Sequence, residues 1–147
     1  MRRTAILLAA FLFMTFTSAY GLEFHGLNIP DHFAVDNQTL ALNGCGLRTK
    51  FFFKIYAGAL YTPVKVTQPT QLYRNDLPKV IRMQFIYHRV SASQMRGTYS
   101  DDFDDVKPGF SSTSEGQAFL NAFRFDVPEG DVVSLVFHAD GALDITH

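Results

Sequence analysis

Arg48 and Tyr56 are the residues of this chain whose types and spacing suit a chemical task. They lie in LNGCGLRTKFFFKIYAGALY, residues 42–61. Read as one strand, that stretch puts Arg48, Lys50, Phe52, Lys54, Tyr56, Gly58 and Leu60 on one side, because successive side chains point to opposite faces. The other side carries Thr49, Phe51, Phe53, Ile55, Ala57, Ala59 and Tyr61, a face that can be buried almost without interruption. An arginine fork with a phenol hydroxyl beside it is good equipment for a carboxylate. The same pair also reads as a surface arginine and a rim tyrosine. Geometry restricts the first reading: eight residues of straight strand cover roughly 26 Å, so both groups reach one ligand only if the chain folds back between them. Residues 49–54 hold no Gly, Pro, Asn or Asp to announce such a turn.

Other chemistries find less support. The histidines, His25, His32, His88, His138 and His147, include no pair at the spacing of a helical metal site. Asp101, Asp102, Asp104 and Asp105 lack the register, glycine and terminal glutamate of a calcium loop and read as a solvated helix face. Gly44 and Gly46 make a G-x-G without a third glycine, which does not support a dinucleotide site. Ser111 has no G-x-S-x-G elbow. Cys45 has no partner for an internal disulfide and reads as a small residue between glycines. The residues thus suggest no metal, no cofactor and no catalytic group.

The elements that would position Arg48 and Tyr56 belong to one domain of 147 residues. Arg2 and Arg3, an apolar run over 5–16 and Thr17-Ser18-Ala19 have the order of a secretory signal. The expectation is residues 1–19 as leader, an exported, periplasmic or secreted domain over 20–147, and no membrane span after signal removal. Beyond the leader, eleven basic residues face fourteen acidic ones, a formal charge of −3 that disfavours nucleic acid as a partner. Fifteen phenylalanines and six tyrosines suit a β-rich core or a cavity lined with rings.

Along the chain, residues 22–29 read as one short strand, and 33–35 with 39–42 as a hairpin turned at Asp36-Asn37-Gln38. Gly44 and Gly46 mark a bend or bulge. Residues 68–75 suggest one helical turn, and 80–88 a strand with Ile81, Met83, Phe85 and Tyr87 on one face. Ser91 or Ser93 can cap a helix bearing Met95, Tyr99 and Phe103, and Ser112 with Glu115 a second one bearing Phe119 and Phe123. Strands over 132–138 and 142–146 flank Asp140-Gly141. Strands, two helices, then strands predict an α+β domain with helices on one face of an antiparallel sheet.

The G-x-G-x-R, strand, A-x-x-x-Y pattern at 44–61 resembles the signature of the bacterial chalcone isomerase-like proteins. A looser likeness runs through the strand at 80, VSASQM and EGDVVSLVF, over most of the chain after the leader. The resemblance implies an open-faced β-sandwich whose helices cover a cleft against the large sheet. Relatives in plants include isomerases, intramolecular lyases that close a chalcone to a flavanone, and non-catalytic fatty-acid-binding proteins. Carried over, Arg48 looks like the family's arginine for an oxyanion or carboxylate, and Tyr56 falls where lipid binders keep tyrosine and enzymes threonine. Met95 and Asp102 stand where the enzymes place a ligand-orienting tyrosine and an asparagine. Methionine donates no hydrogen bond, so the resemblance favours binding of a fatty acid or other apolar carboxylate, with Arg48, Tyr56, Met95 and Asp102 around it. The alternatives are an isomerase in which Arg48 stabilises an oxyanion, and a partner-docking or decaying fragment. His147 falls where relatives continue with another helical segment. On that reading the last helical segment is missing, and the bared sheet invites a homo-oligomer, aggregation or an unusually open pocket.

Overall fold

The computed structural model describes residues 21–73 and 76–147, so the expected leader over 1–19 lies outside the described residues. Four tight turns set the strand pairing. His25-Gly26, Asp36-Asn37, Phe51-Phe52 and the Asp140-Gly141 corner carry left-handed backbone, with φ of 50 and 79°, 50 and 59°, 53 and 83°, and 90° at Gly141. In the first three, positive φ at both central residues gives a two-residue turn the twist of the strands it joins. Strands β1 (Gly21–Phe24) and β2 (Leu27–Pro30) form a separate hairpin around the first turn. This corrects the single strand expected over 22–29: a histidine-glycine pair is a turn signal easily passed over inside an alternating run.

The main sheet holds β3 (His32–Val35), β4 (Gln38–Lys50), β5 (Phe53–Thr62), β6 (Lys79–Phe85), β9 (Val132–Phe137) and β10 (Leu143–Thr146). Their order is β10-β9-β6-β5-β4-β3, every neighbour antiparallel. Strands β7 (Arg89–Val90) and β8 (Val127–Pro128) pair apart from it. A short 3-10 turn over Pro69–Tyr73 fills the connection where one helical turn was expected. The expected 80–88 strand ends at Phe85, because the amides of Ile86 and Tyr87 both bond to the Ile55 carbonyl, at 2.9 and 3.1 Å.

Each face of this sheet is covered by a different part of the chain. Ala57, Ala59 and Tyr61 of β5 join Leu40, Val80 and Ile29 in one cluster beneath the β1–β2 hairpin. The Tyr61 hydroxyl donates to the Pro30 carbonyl at 2.8 Å, so its burial leaves no polar atom unpaired. On the opposite face Met83, Phe85, Val133 and Leu135 pack with Met95 and Phe123, which come from helix α1 (Ala92–Val106) and the end of helix α2 (Ser114–Ala122). The fold is therefore the expected α+β arrangement: an antiparallel sheet with both helices on one side.

Helix α1 begins where the sequence indicated. Ser91 is its N-cap, with the Gln94 amide donating to Ser91 Oγ at 3.2 Å and the Ser91 amide to Gln94 Oε1 at 2.8 Å. Helix α2 starts later than expected. Thr113 caps it by accepting from the Gly116 amide at 3.1 Å, while Ser112 belongs to a preceding 3-10 turn. Tyr99 stacks on Phe123 and meets Phe119 edge-on, both at 5.0 Å between centroids, and Phe103 packs on Phe119 at 5.0 Å. Aromatic pairs of this geometry contribute about 0.5–1.5 kcal/mol each beyond their burial, and here they hold α1 against α2.

Candidate functional site

The central stretch is two strands, and its reversal brings Arg48 and Tyr56 together. The chain turns at Phe51-Phe52, so Arg48 of β4 and Tyr56 of β5 become cross-strand partners. This corrects the single strand drawn over 49–61, and with it the separation of roughly 26 Å. The expected parity survives only from Ala57 onward: Phe51 and Phe53, placed on the buried face by alternation, are exposed. Two departures from regular pairing, at 42–44 and 48–49, reset the register on either side of the pair. The first sits beside Gly44, where a bulge was expected.

Arg48 and Tyr56 point to the helix side. There they border a cavity of about 540 Å³ between the β4–β5 hairpin and α1, within the size range of small-molecule sites. Ile55, Phe53, Val90 and Met95 give it an apolar lining. Gln94, Thr98 and Asp101 add polar groups from the exposed side of α1. Met95, 5% exposed, is thus part of the wall. Among the described residues that line the cavity there is no histidine and no cysteine.

Asp102 stands elsewhere. It does not line the cavity but approaches Arg48 Nη1 with Oδ2 at 3.4 Å. The acidic run is therefore more than a solvated face, since Asp104 also accepts from the Ser111 amide and hydroxyl at 2.9 and 2.6 Å. Those bonds hold the Asp104 carboxyl below its ordinary range.

The electrostatics follow from this packing. Burial alone would lower the pKa of Arg48, but Tyr56 and Asp102 outweigh it and the net shift is upward, so the guanidinium is permanently charged. Burial raises the pKa of Tyr56 against the opposing pull of Arg48. Tyr56 at neutral pH is consequently a protonated hydroxyl, able to donate. A guanidinium offers five N–H donors, and Asp102 approaches from one side, which leaves others for a guest in the cavity.

Tyr99, which the sequence placed on one helix with Met95 and Phe103, is a further neighbour of the pair. Burial pushes its pKa far up, with Tyr56, Arg48 and Asp102 close enough to act on it. Its hydroxyl meets Met83 Sδ at 3.4 Å, a weak acceptor. The signal was present: Met95, Tyr99 and Asp102 fall at i, i+4 and i+7, one stripe of a helix.

Comparison with known proteins agrees with this architecture. No curated protein sequence matches the chain at significance. Among solved structures, a fatty-acid-binding protein of Arabidopsis thaliana superposes with a TM-score of 0.62 at 16% identity, covering 82% of this chain and 73% of that one. At that identity the likeness concerns the fold. The chalcone isomerase-like family model matches residues 21–147. With helices laid over one face of the antiparallel sheet and an arginine at the cleft between them, the chain belongs to the chalcone isomerase-like family.

Proposed function

We propose that this protein binds a fatty acid or a similar apolar carboxylate without transforming it, with Arg48 engaging the head group. The observation that carries the reading is the cross-strand Arg48–Tyr56 pair at the edge of an apolar cavity of about 540 Å³. The carboxylate accepts from the N–H groups of Arg48 left open by Asp102 and from the Tyr56 hydroxyl. The hydrocarbon chain lies against Ile55, Val90 and Met95, where it leaves water. The binding function of the Arabidopsis fold relative supports the assignment. The leader-like sequence over 1–19 supports a periplasmic or secreted location for the binding.

The test is a chain-length series of saturated fatty acids measured by calorimetry against the wild type and Arg48→Ala. Each buried methylene is worth about 0.8 kcal/mol, or roughly fourfold in Kd, so affinity should climb with length and level off once the cavity is full. Arg48→Ala should lower every affinity in the series by about tenfold, the scale of a partly exposed charge-assisted contact. Affinity that ignores chain length, or that is unchanged in Arg48→Ala, would remove the cavity or the arginine from the account.

A further inference from the structure

We propose that the tip of the β4–β5 hairpin docks on an anionic lipid surface, placing the cavity mouth against the membrane from which an apolar guest is taken or to which it is returned. The inference rests on the apolar-carboxylate reading of that cavity. Phe51, Phe52 and Phe53 are 78%, 105% and 58% exposed, three consecutive rings in water at the end of a two-stranded projection. Exposed clusters of this kind mark interaction surfaces. The backbone makes the choice more pointed, because Phe51 and Phe52 both occupy the left-handed region, at φ of 53 and 83°. Such turns favour Asn-Gly, and a bulky side chain there is strained. Two costs, exposed rings and strained backbone, thus coincide at one site, and strain of this sort clusters at functional positions.

Charge selects the partner. The protein is acidic overall, yet no acidic residue lies between Asp36 and Asp76, and Lys50 and Lys54 flank the tip, with Arg48 farther along β4 and paired to Asp102. Rings that insert at the headgroup boundary with cations beside them are the pattern of a peripheral element attracted to anionic lipid. The net negative charge of the rest of the molecule would repel such a surface, so the hairpin end is the orientation the field permits. Phe53 meets Tyr87 edge-on at 5.6 Å, adding a phenol of the type enriched at bilayer interfaces. Lys50, Phe51 and Phe53 also border the cavity, so the surface that would touch lipid is continuous with the mouth beside Arg48.

The experiment is vesicle co-sedimentation of the full chain, comparing vesicles of phosphatidylglycerol and phosphatidylcholine with vesicles of phosphatidylcholine alone. Wild type, Phe52→Gly and Lys54→Glu share the same first twenty residues, so differences among them report the tip. Neither changed residue lines the cavity, and glycine suits the backbone at Phe52, so folding is retained. The expected result is at least tenfold stronger partitioning of wild type to the anionic vesicles, lost in 0.5 M salt and reduced severalfold in both variants. Uptake of a water-dispersed fluorescent fatty acid should match wild type in both. Equal partitioning of all three chains would overturn the proposal. So would a wild-type dimer by light scattering that Phe52→Gly converts to monomer, since the tip would then engage a second copy. If wild type takes up no fatty acid while tip-dependent partitioning persists, the cavity reading fails and the docking stands.

Discussion

Replacing Asp102 by asparagine should tighten the hold on an anionic guest. The Asp102 carboxylate stands 3.4 Å from Arg48 Nη1, and a guest carboxylate on another edge of the planar guanidinium would lie about 6 Å from it. Two like charges at about 6 Å repel by ~0.7 kcal/mol at a dielectric of ~80 and by ~2.8 kcal/mol at ~20. Arg48 and Asp102 are 37% and 45% exposed, so solvent screening places the repulsion in the lower part of that range. Against it stands the grip of Asp102 on Arg48, an exposed ion pair worth about 0–1 kcal/mol. Asparagine retains a carbonyl acceptor for the guanidinium, and Tyr56 still neighbours it, so the arginine keeps much of its orientation. The net expectation is about a two- to fivefold lower Kd for a fatty-acid anion, with little change for the matching fatty alcohol. Titration calorimetry at low salt and again in 0.5 M salt measures it, and the advantage should shrink at high salt. A tenfold weakening in Asp102→Asn would refute the reasoning, because Asp102 would then be needed to aim Arg48 and its repulsion of the guest would be the smaller effect.

Three further outcomes are expected. Arg48→Lys keeps the charge but replaces a planar fork by a point donor, so fatty-acid affinity should fall by about three- to tenfold, less than for Arg48→Ala, in the same titration. Phe52→Gly removes a left-handed phenylalanine with no buried contacts to lose; strain relief of about 1–2 kcal/mol against roughly 0.4–1 kcal/mol of added unfolded-state freedom predicts a Tm higher by a few degrees, and a lower Tm by calorimetry would mean the ring packs usefully. His138 lies between Asp36 and Asp144, at 2.8 and 3.0 Å, and those bonds raise its pKa above 6.5. A raised pKa gives stability that is fully present below the unfolded value and is lost as pH rises through the folded one, so Tm should decline between pH 6 and pH 9, and His138→Gln should flatten that slope. An unchanged slope in the variant would assign the decline to other groups.

Much of the frame was legible because its signals are local. Ser91 with Gln94 declares a helix start through hydrogen bonds made within four residues, and Asp140-Gly141 declares a turn through the backbone freedom of glycine. Residues 22–29 failed for the reverse reason: alternation continues across His25-Gly26, so periodicity alone favoured one strand where two are paired. The second helix moved from Ser112 to Thr113 because both hydroxyls are capping residues, and the choice rests on the 3-10 turn that Asp104 holds through Ser111. That contact, between residues seven apart, has no signature in spacing.

The largest misreading and the candidate site occupy the same place, and one physical cause accounts for both. A hairpin optimised for stability would carry Asn-Gly at its corner and would have been read as a turn; Phe51-Phe52 conceals the reversal that brings Arg48 opposite Tyr56. Local preference and global fold agree along most natural chains, and the places where they conflict are those where another demand is met. Here the conflict lies at the rim of the cavity, in rings that face water and beside the cations that border it. The departure from turn chemistry is therefore evidence about function in its own right, independent of the family likeness. It points to the same end of the molecule as the arginine does.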